Sequence, residues 1–263
     1  MSSETKPLRI FVWAHPRSRS TALEFSVNTL PNVKAFHELY CLAYHNGEER
    51  PVALDKALPV TGVGLQFRQV KETLEKDYPG NDVIFCKDIA YSLDRDFDRL
   101  PKGFQHTFLI RDPRKSIVSW WKACLKEGLK YEDWILEEGG IKHVYDLFKY
   151  VTEDLGQPPV ILDADELANH PEDTLRAWCP RVGLEFNPGM LHWEAANVSH
   201  WLEFHQTAFY RDTFFGQALT STGFTPTVES DIDWTKVPEF VKGRIRDAVP
   251  YYEKMYKLRI TKQ

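Results

Sequence analysis

The sequence contains no apolar run approaching the roughly 20 residues that a membrane-crossing helix needs. The longest near its start, Ile10-Phe11-Val12-Trp13-Ala14, also lacks the layout of a secretory signal, and Met1 to Lys6 reads as a short polar tail. No membrane association is expected. Cysteine is sparse: Cys41, Cys86, Cys124 and Cys179 stand far apart, without the paired spacing of zinc or redox sites. They read as reduced thiols, which places the protein in the cytoplasm. The nine histidines are scattered without a metal-type cluster, so no metal is expected. There is no excess of positive charge either. Lys and Arg total 33 against 38 Asp and Glu, a formal net charge of -5, so bulk electrostatics give no support to a nucleic-acid partner. An anionic ligand would need a local positive site built against that background.

What the sequence has is an ordinary globular balance, 43% hydrophobic and 27% charged over 263 residues, with neither repeats nor low-complexity linkers. One α/β domain spanning 1–263 is expected. Short β-type runs alternate with longer segments of helical period, which argues for a parallel sheet with crossover helices. Leu8 to Trp13, Val83 to Cys86, Thr107 to Ile110 and Pro159 to Leu162 read as strands. Ser20 to Leu30, Pro113 to Leu125 and His170 to Trp178 read as helices, and Val237 to Leu258 as another, interrupted near Pro250. Glu194 to Ser230 is irregular and aromatic, suited either to a pocket wall or to plain surface loop.

Two segments carry chemistry. In Trp13-Ala14-His15-Pro16-Arg17-Ser18-Arg19-Ser20-Thr21 an apolar strand turns through a short polar loop into a helix. A helix N-terminus offers unpaired N–H groups and partial positive charge to an anion. Ser18, Ser20 and Thr21 add hydroxyl donors, and Arg17 and Arg19 add guanidinium groups that can pair with two oxygens at once. The plainer reading is a capped helix with solvated arginines. The loop is not a nucleoside-triphosphatase P-loop, because Ala14 and Arg19 stand at its glycines and Ser20 at its lysine. The second segment, Phe108-Leu109-Ile110-Arg111-Asp112-Pro113-Arg114-Lys115-Ser116-Ile117-Val118-Ser119, again leads from a strand through arginine into a helix.

Together these segments resemble the PAPS-dependent sulfotransferases, where PAPS is 3′-phosphoadenosine 5′-phosphosulfate. Pro16-Arg17-Ser18-Arg19-Ser20-Thr21 is similar to that family's 5′-phosphosulfate loop. Arg111, with Ser119 eight positions on, is similar to its 3′-phosphate motif. Val160 to Leu167 and Trp234 to Tyr256 agree with the family's later segments, so the resemblance spans nearly the whole chain. It implies a P-loop-like three-layer α/β sandwich, a central mainly parallel sheet flanked by helices. It also implies PAPS as co-substrate, PAP as product, and a donor site of Arg17, Ser18, Arg19, Ser20, Thr21, Arg111 and Ser119. The departure is Arg19, which replaces the loop glycine; either the backbone there approaches the donor differently or the arginine itself contacts it.

Sulfonyl transfer requires positioned partners, stabilised negative charge and a base for the acceptor's proton. Arg17 is the candidate cation beside the leaving oxygens, and Lys87 a second one near the sulfonate. The tyrosylprotein branch of the family places a glutamate 21 residues beyond the loop arginine, which here is Glu38. Within the apolar run Ala35 to Tyr40, partial desolvation would raise its pKa towards a useful range. His37 follows as a candidate base, its side chain sent to the opposite face by strand alternation, and Asp88 is third. The expected function is transfer of a sulfonate from PAPS to a hydroxyl or amine of a small acceptor. A P-loop nucleotide kinase or phosphotransferase, and an inactive PAP-binding module, remain as alternatives. The residues carry no signal of oligomeric state.

Overall fold

The computed structural model describes residues 6–49, 65–126, 128, 140–207, 211–227 and 232–261. Five strands, β1 (Leu8–Ala14), β2 (Val33–His37), β3 (Val83–Ile89), β4 (Gln105–Ile110) and β5 (Ile161–Asp163), form one sheet in the order β2-β3-β1-β4-β5. Every pairing is parallel. The helices are α1 (Ser20–Val27), α2 (Leu39–Asn46), α3 (Phe67–Glu75), α4 (Pro113–Lys126), α5 (Ile141–Lys149), α6 (Ala164–Asn169), α7 (Pro171–Trp178), the single turn α8 (Gly216–Leu219) and α9 (Glu239–Tyr256).

Parallel strands covered on both faces read as continuous apolar runs, and β1 is buried from Ile10 through Ala14. Its side chains alternate between two cores. Phe11 and Trp13 join Ile84, Cys86 and Phe108 under helices α3, α4, α5 and α9. Ile10, Val12 and Ala14 join Phe85 and Leu109 under α1, α6 and α7. The result is the expected three-layer sandwich.

Several boundaries differ from those the sequence suggests. β3 continues to Ile89, so Lys87 lies inside the strand and not at its end. β2 stops at His37, and Glu38 sits outside it in a left-handed conformation at φ 47. Helix α9 runs unbroken through Pro250. An interior proline costs about 3 kcal/mol, whereas burying Ile245, Tyr252 and Met255 on one face is worth about 1.5–3 kcal/mol each. Packing therefore outweighs the lost hydrogen bond.

Because the chain leaves β1 towards β2 on one side and later adds β4 on the other, the connections diverge at the carboxyl ends of the central strands. Open α/β sheets bind ligands at such a switch point, and here all the chemistry-bearing segments meet.

Candidate active site

The loop between β1 and α1 places Arg17 and Arg19 at φ 63. Arg19 thus adopts the left-handed conformation that a glycine would take, so the backbone keeps that path and the guanidinium is an addition to it. The turn presents the first N–H groups of α1 to the cleft, beside buried Ser18, Ser20 and Thr21. The loop after β4 lies against it. The Arg111 N–H donates to Nε2 of His15 at 3.0 Å, while Nδ1 of His15 lies 3.2 Å from the Pro16 carbonyl. Burial, then the Arg111 charge, lowers His15 to about 3, so the ring is neutral and links the loops as donor on one side and acceptor on the other. Arg111 Nη1 donates to the Arg17 carbonyl at 2.9 Å, and its Nε stands 3.4 Å from Asp165.

The arginines converge. Arg17 donates from Nε to Ser119 Oγ at 3.2 Å and from Nη1 to the Phe214 carbonyl at 2.7 Å. Arg19 donates to the Thr225 carbonyl at 2.8 Å. Burial lowers the pKa of both, and the neighbouring Arg111 charge lowers them further. Three guanidinium groups so close to one another repel, and an anion among them would relieve that repulsion. Arg17, Arg19, Ser20, Thr21, Arg111 and Ser119 line the cleft together, and such a set of guanidinium and hydroxyl donors fits the phosphate and phosphosulfate groups of the implied donor. Ser18 Oγ and Ser116 Oγ are buried without a hydrogen-bond partner and do not line it.

Glu38 stands across a cleft of about 260 Å³ whose lining includes Arg17, Thr21, Arg111, Ser119, Phe215 and Phe224. The sequence places Glu38 in a strand with a raised pKa, and both points are corrected. Burial does push its pKa up, but the Lys87 ammonium 2.5 Å from Oε1, with His37 and His205 nearby, brings it below the ordinary carboxylate value. Lys87 is wholly buried, not a solvated strand end. It sits behind Glu38 and Thr21, 3.4 Å from Thr21 Oγ1 and 3.7 Å from Glu24. His37 is not on the opposite side from Glu38: because Glu38 leaves the strand, the two side chains meet, Nε2 of His37 lying 4.0 Å from Oε2 of Glu38. Asp88 is buried and accepts the N–H groups of Tyr40, Cys41 and Ile89. It caps α2 and does not line the cleft.

The late aromatic segment is a pocket wall. Phe214, Phe215, Ser221, Gly223 and Phe224 line the cleft, with 208–210 and 228–230 outside the described residues. Sequence reasoning missed Glu24, His15 and Asp165. His15, in the middle of the loop motif, was the one with a visible signal; Glu24 looks like any helix glutamate.

A family model described as a sulfotransferase domain matches residues 8–258, and the chain belongs to that family. Two curated relatives from Arabidopsis thaliana are called branched-chain-amino-acid aminotransferase-like proteins. Protein 2 is 27% identical over 234 residues, covering 85% of this chain and 39% of its own length. Protein 1 is 27% identical over 225 residues, covering 84% and 37%. The chain therefore spans about two fifths of the curated relatives it matches. Among solved structures, the sulfotransferase domain of the Synechococcus PCC 7002 olefin synthase superposes with a TM-score of 0.58 at 16% identity, over 97% of this chain and 96% of that one. That likeness establishes a shared fold. Among the described residues no helix is long and apolar enough to cross a membrane.

Proposed function

We propose that the chain transfers a sulfonate from PAPS to a hydroxyl or amine of a small acceptor. The observation that carries this reading is the placement of Glu38 on the same cleft as the Arg17–Ser119–Arg111 cluster. The α1 loop and α4 would hold the donor, Arg17, Ser18, Arg19, Ser20 and Thr21 at the phosphosulfate and Arg111 and Ser119 at the 3′-phosphate. PAPS supplies an activated sulfonate. Arg17 stabilises the charge that spreads onto the transferred group and leaving phosphate. Lys87 adds its charge from one layer deeper, through Thr21 and Glu38.

Glu38 accepts the acceptor's proton. Its lowered pKa keeps it ionised at neutral pH, so the basic form is present through the ordinary carboxylate range and is lost only as pH falls below it. Glu38→Gln should lower turnover by roughly 10²–10⁴-fold with PAP affinity unchanged; turnover within a few-fold of wild type would remove Glu38 from the role. All four cysteines are unpaired, which suits a reducing cytoplasm.

The test is a thermal-shift titration with PAP, PAPS, ATP and ADP on wild type and Arg111→Ala. A ligand selective for the native state raises apparent stability as its concentration exceeds its dissociation constant. PAP and PAPS should stabilise, ATP should not, and Arg111→Ala should abolish the effect. Stabilisation by ATP equal to that by PAP would favour the phosphotransferase reading. Tight PAP binding with no turnover would favour an inactive binding module.

A further inference from the structure

Glu24 has no part in the reading above, yet it is fully buried beneath the cleft on α1. Its Oε1 accepts from Nε2 of His200 and Nε1 of Trp201, and its Oε2 from Nδ1 of His37, all at 2.7 Å. Burial pushes its pKa up, but His37, His200 and Lys87 hold it well below the ordinary value. An ionised carboxylate can only accept, so Nδ1 of His37 carries a proton. Neutral His37 then has a bare Nε2. That atom is buried without a hydrogen-bond partner and faces Glu38 Oε2 at 4.0 Å. The ring is held by Trp201, stacked at 3.9 Å, and by the edge of Phe215 at 5.0 Å.

The ionisable groups around His37 are Glu24 on α1, Glu38 at the head of α2, Lys87 on β3, and His200 and His205 of the late segment. Two carboxylates, Glu24 and Glu38, face the one ammonium of Lys87 in this buried set. One atom each of His37, Glu38 and His205 lie within 4.8 Å of one another, a spacing that a cation could use. The Lys87 ammonium already engages the Glu38 carboxylate at 2.5 Å and repels a metal ion. Burial lowers the His37 pKa more than the two carboxylates raise it, so the ring rests neutral, and a proton in transit on it would sit between Glu24 and Glu38 without displacing Lys87.

We infer that Glu24 and His37 form a proton relay behind Glu38, in which the proton that Glu38 takes from the acceptor passes to Nε2 of His37 and Glu24 stabilises the resulting imidazolium. This rests on the sulfonyl-transfer reading. As the acceptor oxygen bonds to sulfur and the bond from sulfur to the phosphate oxygen breaks, the acceptor O–H proton moves to Glu38. Rotation of Oε2 closes the 4.0 Å gap while Oε1 stays on Lys87, and the proton moves on to His37. Glu38 is again a carboxylate, and after product departs the proton passes back from Nε2 of buried His37 through Glu38, which lines the cleft, to solvent. The relay answers a specific need: Lys87 makes Glu38 a poor place to keep a proton. Glu24 and His37 act through Glu38 and are positioning residues in this scheme.

The test compares 1-hexanol with p-nitrophenol as acceptors in mildly alkaline buffer with PAPS. p-Nitrophenol is already ionised there and delivers no proton. His37→Asn keeps an N–H for Glu24 but removes Nε2, and Glu24→Gln removes the charge behind the ring. Both variants should lower kcat for hexanol by about 10²-fold, with KM unchanged, and leave transfer to p-nitrophenol near wild type. An equal loss on both acceptors, or no loss on either, overturns the relay. Nitrogen-15 NMR of His37 reads the proton arrangement without donor or acceptor. Protonated Nδ1 with bare Nε2 in the wild type, altered by Glu24→Gln, is expected. A resting Nε2–H tautomer or an imidazolium at neutral pH overturns the relay independently of turnover. Failure of PAP to bind the wild type would instead sink the sulfonyl-transfer reading, so the two failures are distinct.

Discussion

Arg19 combines a backbone conformation suited to glycine with a guanidinium that reaches the Thr225 carbonyl. A left-handed conformation costs a residue with a β-carbon about 1–2 kcal/mol. Arg19→Gly and Arg19→Ala both remove the guanidinium, but only alanine retains the strain. Arg19→Ala should therefore unfold about 1 kcal/mol more easily than Arg19→Gly in denaturant melts, while both lose PAP affinity to a similar degree. Equal stabilities would mean that the strain at φ 63 is absent in solution. Glu38 shows the same pattern at φ 47, where the left-handed turn brings its carboxylate to Lys87 and His37. Arg17, Arg111, Ser119 and Glu38 are singled out by what the family resemblance implies, and Lys87 by its place after an apolar strand run. Spacing could not reveal the turn at Glu38, which undid the strand-alternation argument for His37. Nor could it reveal Glu24, whose partners His200 and Trp201 come from about 176 residues further along the chain.

At the scale of elements, α2 depends on a neighbouring strand for its cap. Glu38 at its N-terminus makes no side-chain cap. Asp88 on β3 takes that part, accepting from Tyr40 N at 2.6 Å and Cys41 N at 3.1 Å. Asp88→Ala leaves two buried donors at the head of a helix, and each unsatisfied group costs about 1–3 kcal/mol. We expect a stability loss of at least about 2 kcal/mol by urea unfolding, with a drop in turnover because the residue that opens α2 is Glu38. A loss under 0.5 kcal/mol, roughly that of a neutral surface change, would show that α2 needs no cap from β3. Alternating strand and helix patterns made the parallel sheet readable beforehand, since strands buried on both faces are continuous apolar runs. Ends were less legible. β3 runs through Lys87 and Asp88, charged residues that sequence patterns assign to a loop, because their partners lie on α1 and α2. Helix α9 passes Pro250 because its apolar face is buried along its length.

Across the whole molecule, buried histidines set the response to acid. Burial lowers His15 and His205 to about 3, and His45, His106 and His143 to about 4. As pH falls below the ordinary histidine value near 6.5, the unfolded chain binds protons at these five sites that the folded chain refuses. Stability must then fall. Burial lowers His37 as well. Asp88 works the other way: burial raises it to about 8, so near pH 5 the folded chain holds a proton there that the unfolded chain releases, and Asp163 is raised too. The lowered histidines outnumber the raised acids, so stability falls with pH at about 1.4 kcal/mol per net proton and pH unit. Domains carry only about 5–15 kcal/mol in total, so unfolding should set in between about pH 6 and pH 4. Below that range the lowered pKa values of Glu24, Glu38 and Asp165 steepen the loss, because each carboxylate's contribution vanishes as pH drops through its folded value. Urea midpoints measured at pH 7 and pH 5 should differ sharply. His106 lies outside the cleft and accepts the Trp13 indole N–H, so His106→Gln should lessen the slope by about one proton while sparing PAP binding. Equal midpoints at the two pH values would mean that these rings are hydrated and titrate normally, and the neutral His15 that joins the two anion loops would have to be abandoned with them.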